Sequence, residues 1–190
     1  KNTNSKETVL KVENLQTSFM TSNGEVQAVR GVSFEVKKGE ILGIAGVEGN
    51  GQTELVEAMT GMGGYTSGTI EIGGKDIQGS SVAAIRALKV AHIPEDRMTM
   101  GIAPKLSLTE NMIADKLSWK KFFKNGIINR KAVRSYGDEM VDQYQVLCKS
   151  QDVSIDSLSG GNIQKVVVAR EWNNKPKLMI AEQPTRGIDI

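Results

Sequence analysis

Ile41-Leu42-Gly43-Ile44-Ala45-Gly46-Val47-Glu48-Gly49-Asn50-Gly51-Gln52-Thr53-Glu54-Leu55-Val56 is the stretch that decides the architecture. Its first five residues form a short apolar run, which reads as a buried central strand. Glycines at 46, 49 and 51 then make a flexible loop. From Gln52 to Thr60 the apolar residues Leu55, Val56 and Met59 fall on one face at helical spacing, and Gly61–Gly64 ends the helix. Strand, glycine loop and helix in that order, with more strands and helices after them, argue an α/β fold.

The flanking sequence fits that frame. Val9–Glu13 reads as a short strand. Gly31–Lys37 reads as a half-buried one, because Val32, Phe34 and Val36 alternate with polar residues. Thr69–Ile72, the turn Gly73-Gly74, and Lys75–Ile77 read as a hairpin. Val82–Ala87 reads as a short helix, and Lys89–Ile93 as an apolar strand stopped by Pro94. From Pro94 to about Val146 the composition turns helical. Ser107 and Glu110 form a capping box ahead of a helix at Asn111–Leu117. Asn129 caps a longer helix, to about Leu147, whose Val133, Tyr136, Met140 and Tyr144 share a face. Another capped helix starts after Leu158–Asn162, and Leu178–Ala181 reads as a last buried strand.

Bulk properties narrow the function classes. The 190 residues are enough for one domain with a real core. Basic and acidic side chains number 24 and 22, a net charge of +2, without the strong basic excess of a dedicated nucleic-acid binder. The lone cysteine, Cys148, has no internal disulfide partner, which fits a reducing compartment. No apolar run approaches the ~18 residues of a membrane span, so if a membrane is involved this chain meets it through a partner. The chain opens on Lys1 with a polar tail through Glu7, and reads as a piece of something longer.

Three segments carry the chemistry. The first is Gly46-Val47-Glu48-Gly49-Asn50-Gly51-Gln52-Thr53, which follows the phosphate-loop spacing of Gly, four residues, Gly, Lys, Ser or Thr. Glycines let backbone N–H groups turn inward on phosphate oxygens, and the helix N-terminus adds partial positive charge. Thr53 stands where a hydroxyl ligates Mg²⁺. The departure is Gln52, where the pattern has Lys. The second segment is Leu158-Ser159-Gly160-Gly161-Asn162, followed by Gln164-Lys165 and an apolar helix. A serine and two glycines at a helix start form another anion-directed surface. The third is Leu178-Met179-Ile180-Ala181-Glu182-Gln183-Pro184-Thr185-Arg186-Gly187-Ile188-Asp189, an apolar strand leading into a polar loop.

Together these resemble the ATP-binding-cassette ATPases over about residues 9–190. The resemblance is to the C-terminal ATPase half of a tandem importer for simple sugars or nucleosides. It implies a P-loop NTPase core, a β-sheet around the loop helix, with an antiparallel β part and a small inserted helical subdomain at about 95–165, residues 1–8 being a tail. It implies ATP and Mg²⁺ as cofactors, and a nucleotide site at Gly46, Glu48, Gly49, Asn50, Gly51, Gln52, Thr53 and Glu54. Phe19 lies where the family stacks a ring on adenine; an ordinary apolar anchor is the equal alternative. The signature is Ser159, Gly160, Gly161, Asn162 and Gln164. Aligned on Pro184-Thr185, Glu182 takes the Mg²⁺-associated position, Gln183 that of the catalytic Glu, and Asp189 that of the loop crossing to a partner domain. Glu95, in His92-Ile93-Pro94-Glu95-Asp96-Arg97, takes the place of the Q-loop glutamine. His92 reads as an ordinary strand residue.

The implied partners are a second ATPase domain (the N-terminal half of the same polypeptide, or a dimer mate), transmembrane permease subunits, and indirectly an extracytoplasmic solute-binding protein; nucleic acid is not among them. The implied location is the cytoplasmic face of the membrane, as a peripheral subunit. Gln52 and Gln183 mark this chain's own nucleotide site as degenerate, while the signature is intact. Two alternatives remain open at this point: a fully active transporter ATPase, and a soluble non-transport member of the superfamily. Losing the lysine removes a charge-assisted contact of about 1.5–3 kcal/mol. Gln52→Lys is therefore expected to tighten Mg-ATP binding by about tenfold or more in a calorimetric titration. Unchanged affinity would show that this loop does not hold phosphate in the usual way.

Overall fold

The computed structural model describes residues 7–22, 24–47, 49–116 and 119–185, with Lys124 described for its backbone alone. The chain divides into two compact units, Lys1–Ala91 and His92–Ile190.

The first unit is built on an antiparallel sheet. Strand β1 (Thr8–Thr21) pairs with β2 (Gly24–Lys37) on one side and β3 (Ser67–Ile72) on the other, and β4 (Lys75–Asp76) pairs with β3, giving the order β2-β1-β3-β4. Along β1 the buried residues are Leu10 and Val12, then Leu15 and Thr17. The switch from even to odd positions occurs at a register shift between Val12 and Leu15, where Asn14 takes φ 47°. An extra residue at a bulge moves the later side chains to the other face, and so keeps β1 facing the core as far as Thr17. Gly68 lies against this bulge: a Cβ there would fall 2.6 Å from the carbonyl oxygens of both Glu13 and Asn14.

Helix α1 (Gln52–Thr60) buries Leu55, Ala58 and Met59 and contacts β1 and β2. Val56, expected on the same face, is half-buried. Helix α2 (Val82–Ala87) is capped by Ser81, whose Oγ accepts from Ala84 N–H at 3.3 Å. The expected strand at Ile41–Ala45 is not formed. Ile41 is 97% and Ile44 52% exposed, and no described strand hydrogen-bonds to this run. A central strand is stabilised by ladders on both sides; in this unit the sheet is complete without it, and Gly43 and Gly46 weaken its own preference.

The second unit begins within β5 (Val90–Ile93), which pairs with β8 (Leu178–Ala181). A π-helical turn at Arg97–Gly101 is capped by Asp96, which accepts from Met98 N–H at 2.9 Å and Thr99 N–H at 3.3 Å. Three helices follow: α3 (Leu108–Ile113), α4 (Arg130–Gln143) and α5 (Gly160–Trp172). Leu108, Met112, Phe122, Tyr136, Met140, Ile155, Ile163, Val166 and Val167 bury a common core between them.

The expected capping box is present, Ser107 Oγ accepting from Glu110 N–H and the Glu110 carboxylate accepting from Ser107 N–H. That hydrogen bond holds the Glu110 carboxyl below its usual range. The helix it starts begins at Leu108, directly after the Ser107 cap, rather than at Asn111, and ends at Ile113 rather than Leu117. Past Ala114 the chain turns so that Lys116, fully buried, donates to the Asp115 carboxylate at 2.7 Å and to the Arg170 carbonyl at 3.5 Å. Leu117 lies outside the described residues. The stretch to Val146 is also not helical throughout. A small hairpin of β6 (Phe123–Lys124) and β7 (Ile127–Ile128) interrupts it, turning at Asn125 and Gly126 with φ 52° and 77°. Asn129 caps α4 as expected, accepting from Ala132 N–H at 3.2 Å, but α4 ends at Gln143 because Gln145 takes φ 50°.

Gly137 sits inside α4 where alanine is ordinarily stabilising by about 1 kcal/mol. Here a Cβ would fall 2.2 Å from Gln151 Oε1 and 2.6 Å from Thr109 Oγ1, two buried groups hydrogen-bonded at 2.8 Å. Gly137→Ala is therefore expected to lower stability by about 1–3 kcal/mol. The exposed neighbour variant Ser135→Ala should stay within about 0.5 kcal/mol. Chemical denaturation of both checks the sign, and a stabilising Gly137→Ala would contradict the packing described.

Candidate functional site

The glycine loop and its helix lie in the first unit. Gly49 and Gly51 take φ 83° and 98°, conformations that glycine reaches without penalty. Gly51 is also required by space, since a Cβ would fall 2.4 Å from the Ala28 carbonyl oxygen of β2. Gly51 is the N-cap of α1, and no side chain caps the helix there. The first N–H groups of α1 are therefore directed at whatever lies over the loop, an arrangement that fits phosphate oxygens. Thr53 is exposed at that helix start, and Glu54 is partly so. Asn50 N–H donates to the Val47 carbonyl at 3.2 Å and closes the loop. Glu48 lies outside the described residues.

Gln52 does not extend like a lysine. Its Nε2 donates to the Val47 carbonyl at 3.2 Å, and a Cβ on Gly46 would fall 1.8 Å from it. The amide is folded onto the loop backbone and satisfies a carbonyl of the loop itself. Phe19 stands in β1 opposite Val26, 44% exposed, a ring with an open face.

The remaining candidates lie in the second unit. Where β8 ends, Glu182 N–H donates to the Ile93 carbonyl at 2.9 Å, and His92 Nε2 and Glu182 Oε1 share a 2.8 Å hydrogen bond. His92 is a strand residue, as expected; that it engages the Glu182 carboxylate is a role the sequence did not disclose. Its backbone N–H also approaches the buried Glu171 carboxylate at 3.4 Å. Among the described residues no three or more His, Cys, Asp or Glu side chains cluster to hold a metal ion.

Gln183 follows with φ 42°, a left-handed residue that turns the chain out of the strand. Its Nε2 donates to Glu95 Oε1 at 2.7 Å. The residues at the catalytic-Glu and Q-loop positions are therefore in direct contact. Pro184 is held in turn by Gln164, which is buried and whose Nε2 donates to the Pro184 carbonyl at 3.0 Å. Asp189 lies outside the described residues.

The signature forms the start of α5. Ser159 is its N-cap, exposed, with Oγ accepting from Asn162 N–H at 3.4 Å and from Asn162 Nδ2 at 2.9 Å. Asn162 Oδ1 accepts from Leu147 N–H at 2.8 Å, tying the first turn of α5 to the segment that follows α4. A Cβ on Gly160 would fall 2.7 Å from Arg97 Nη2. Arg97 thus packs on the signature, a contact hinted at only by the quoted tract Glu95-Asp96-Arg97.

Residues 29–186 match the family described as ABC transporter. The chain belongs to the ABC transporter family. Among curated ABC relatives, it is 38% identical to the nucleoside import ATP-binding protein NupA of Lactococcus lactis subsp. cremoris (strain MG1363), over 97% of this chain and 36% of that protein. It is 38% identical to the guanosine import ATP-binding protein NupO of Bacillus subtilis (strain 168), over 87% of this chain and 32% of that one. It is 33% identical to the ribose import ATP-binding protein RbsA of Chromobacterium violaceum, over 95% of this chain and 34% of that one. The chain thus spans about a third of these relatives' length. Among solved structures, the dimeric ATP-binding cassette MJ0796 bound to ADP and Pi superposes with a TM-score of 0.78 at 20% identity, over 95% of this chain and 76% of that one. That likeness gives the fold: an ABC-type P-loop NTPase of mixed α/β content with an antiparallel sheet. No described helix is long and apolar enough to cross a membrane.

Gln164 ties the signature helix to the loop after β8 through one buried bond. Gln164→Met keeps the volume and removes the donor. It should cost about 1 kcal/mol and speed hydrogen exchange at Gln183 and Thr185. Unchanged exchange would show that the loop is held by other contacts.

Proposed function

We propose that this chain is the ATP-binding domain of an ABC importer for a simple sugar or a nucleoside, with a weakened nucleotide site of its own and a signature that completes the site of another ATPase domain. The names of the relatives support the importer reading, because nucleoside, guanosine and ribose import recur among them. They favour it over a soluble non-transport ATPase. The observation that carries the asymmetric part is the contrast between two helix starts. At α1, Gln52 is folded onto its own loop. At α5, Ser159 is exposed and ordered by Asn162, and the guanidinium of Arg97 lies against Gly160 beside it, adding a cationic group to an anion-directed helix start.

The roles follow by position. Gly46, Gly49, Asn50, Gly51 and Thr53 hold the phosphates and Mg²⁺ of a weakly bound ATP, with Phe19 against the base. Glu182 stands on the metal side, and Gln183 and Glu95 face the attacking water. Ser159, Gly160 and Gly161 address the terminal phosphate of an ATP held by the N-terminal half of the same polypeptide or by a dimer mate. The helical segments of the second unit, from Pro94 to Gln143, receive a cytoplasmic helix of the permease subunits, and a solute-binding protein outside the membrane delivers the solute. The domain acts as a peripheral subunit on the cytoplasmic face.

In the assembled transporter, Ser159→Arg is expected to abolish most ATP turnover by filling the space of the partner's terminal phosphate. Gln52→Ala should cost far less. Steady-state ATPase rates rank the two sites; equal losses would show that this domain hydrolyses ATP on the same footing as its partner.

A further inference from the structure

The hairpin of β6 and β7 takes no part in the sites described above, and its composition departs from that of the whole chain. From Trp119 to Gly137 the sequence has six basic residues and no acidic one, although the chain's net charge is only +2. The arms are short, but their base is closed. Asn129 N–H donates to the Phe122 carbonyl at 2.8 Å, and the N–H groups of Phe122 and Phe123 both donate to the Trp119 carbonyl, at 2.9 and 3.0 Å. Lys120 and Lys121 therefore enter the hairpin close to where Arg130 and Lys131 leave it, and all four are exposed.

The register decides which way the apolar residues face. Phe123 lies opposite Ile128, and Lys124 opposite Ile127. Opposed residues of an antiparallel pair share a face, and successive ones alternate. Phe123 packs on the buried core of the unit, so Ile127 takes the face turned away from it and is 73% exposed. Trp119 is 39% exposed, its ring stacked at 5.8 Å on that of the buried Phe122. Several of the cations already have neighbours. Arg134 pairs with Asp152 at 2.8 Å, the Arg130 charge acts on the Glu110 carboxyl, and Lys121 lies over the Phe122 and Tyr136 rings at 5.6 and 5.7 Å. Lys120 and Lys131 are the charges at the hairpin base most open to an outside group.

We propose that this hairpin docks on an anionic membrane surface, with Ile127 entering the boundary between headgroups and acyl chains and Lys120 and Lys131 meeting lipid phosphates. The proposal rests on the peripheral location given above and adds to it a contact with the lipid itself, beside the permease. Charge complementarity names the partner, since anionic lipids give a membrane surface a negative potential that attracts basic segments. The apolar residues separate this partner from a nucleic acid. A phosphate backbone would use the lysines but would give Ile127 nothing to bury against. In a bilayer the isoleucine leaves water and the tryptophan has the headgroup level that its amphipathic ring prefers. An apolar edge ringed by lysines is the pattern of segments that lie in the interface rather than cross it.

The test uses the full-length protein, purified without the permease and sedimented with vesicles of phosphatidylcholine, either alone or with about a third phosphatidylglycerol. Binding to the anionic vesicles is expected, weakening as salt rises. Each basic side chain near such a surface strengthens binding about fivefold. Lys120→Gln combined with Lys131→Gln should therefore weaken the partition by about tenfold or more. Ile127→Ser should weaken it severalfold and leave its salt dependence unchanged. A control pair, Lys38→Gln with Lys75→Gln, removes the same charge at exposed positions of the first unit and should change the partition by less than about twofold. Equal binding to both kinds of vesicle, a control loss as large as that of the hairpin pair, or full binding by Ile127→Ser would overturn the proposal. The same variants are also assembled with the permease subunits in detergent, where all should assemble. Failure of the hairpin variants alone would assign this surface to a protein partner and overturn the lipid contact. Failure of the unaltered protein to assemble would instead overturn the reading as a transporter subunit, and this proposal with it.

Discussion

The contact of β5 with β8 is the constraint on which the chemistry of the second unit depends. Both strands are only four residues long, and each ends where a polar segment begins. Their pairing is carried past β8 by the Glu182 N–H on the Ile93 carbonyl. Glu182 lies beside His92, and the second residue past each strand, Gln183 after β8 and Glu95 after β5, are in contact. A strand end is a good place for such groups. The ladder fixes the backbone, and the side chains beyond it are free to face a ligand.

The same unit ties this strand exit to the signature helix in two ways. Gln164, buried in the first turns of α5, holds the Pro184 carbonyl, and Arg97, two residues past Glu95, packs on Gly160. Buried polar contacts of this kind are costly to break, because the orphaned group loses its partner without regaining water. The loop after β8 and the turn after β5 are thus each in contact with α5 near its start. The core beneath is apolar and closely packed around Val166 and Val167, both fully buried, which makes α5 a rigid lever rather than a flexible one.

Much of this was legible in the sequence where local chemistry decides the outcome. Helix α1 begins and ends at Gln52 and Thr60 as read, because left-handed glycines bound it at 51 and 61. Strand β8 likewise runs Leu178–Ala181 as read, and the caps at Ser107, Asn129 and Ser159 all form. Reading failed where the deciding contact is distant. β1 continues to Thr21 rather than stopping at Glu13, because the bulge at Asn14 reverses the phase of alternation and a period-2 pattern ends there. Ile41–Ala45 has a strand's composition without a strand's neighbours in its unit. The β6–β7 hairpin, with two residues on each arm, is too short for any periodicity, although Asn125-Gly126 is a turn signal. In the site, the signature and phosphate loop are contiguous in sequence and were found. The pairings of Glu95 with Gln183 and His92 with Glu182 span 88 and 90 residues and needed the fold.

Degeneracy is accordingly a property of a site rather than of single positions. In the proposed reading Gln52 lowers the affinity of the phosphate loop, while the amide at 183 donates to the Glu95 carboxylate. The central claim is that this chain holds its own ATP weakly while lending Ser159 to a second, tighter site. Its most direct test is equilibrium ATP binding to the full-length assembled protein in the absence of turnover. The account predicts two classes of site, one tight and one weaker by about tenfold or more. Two sites of equal affinity would contradict it.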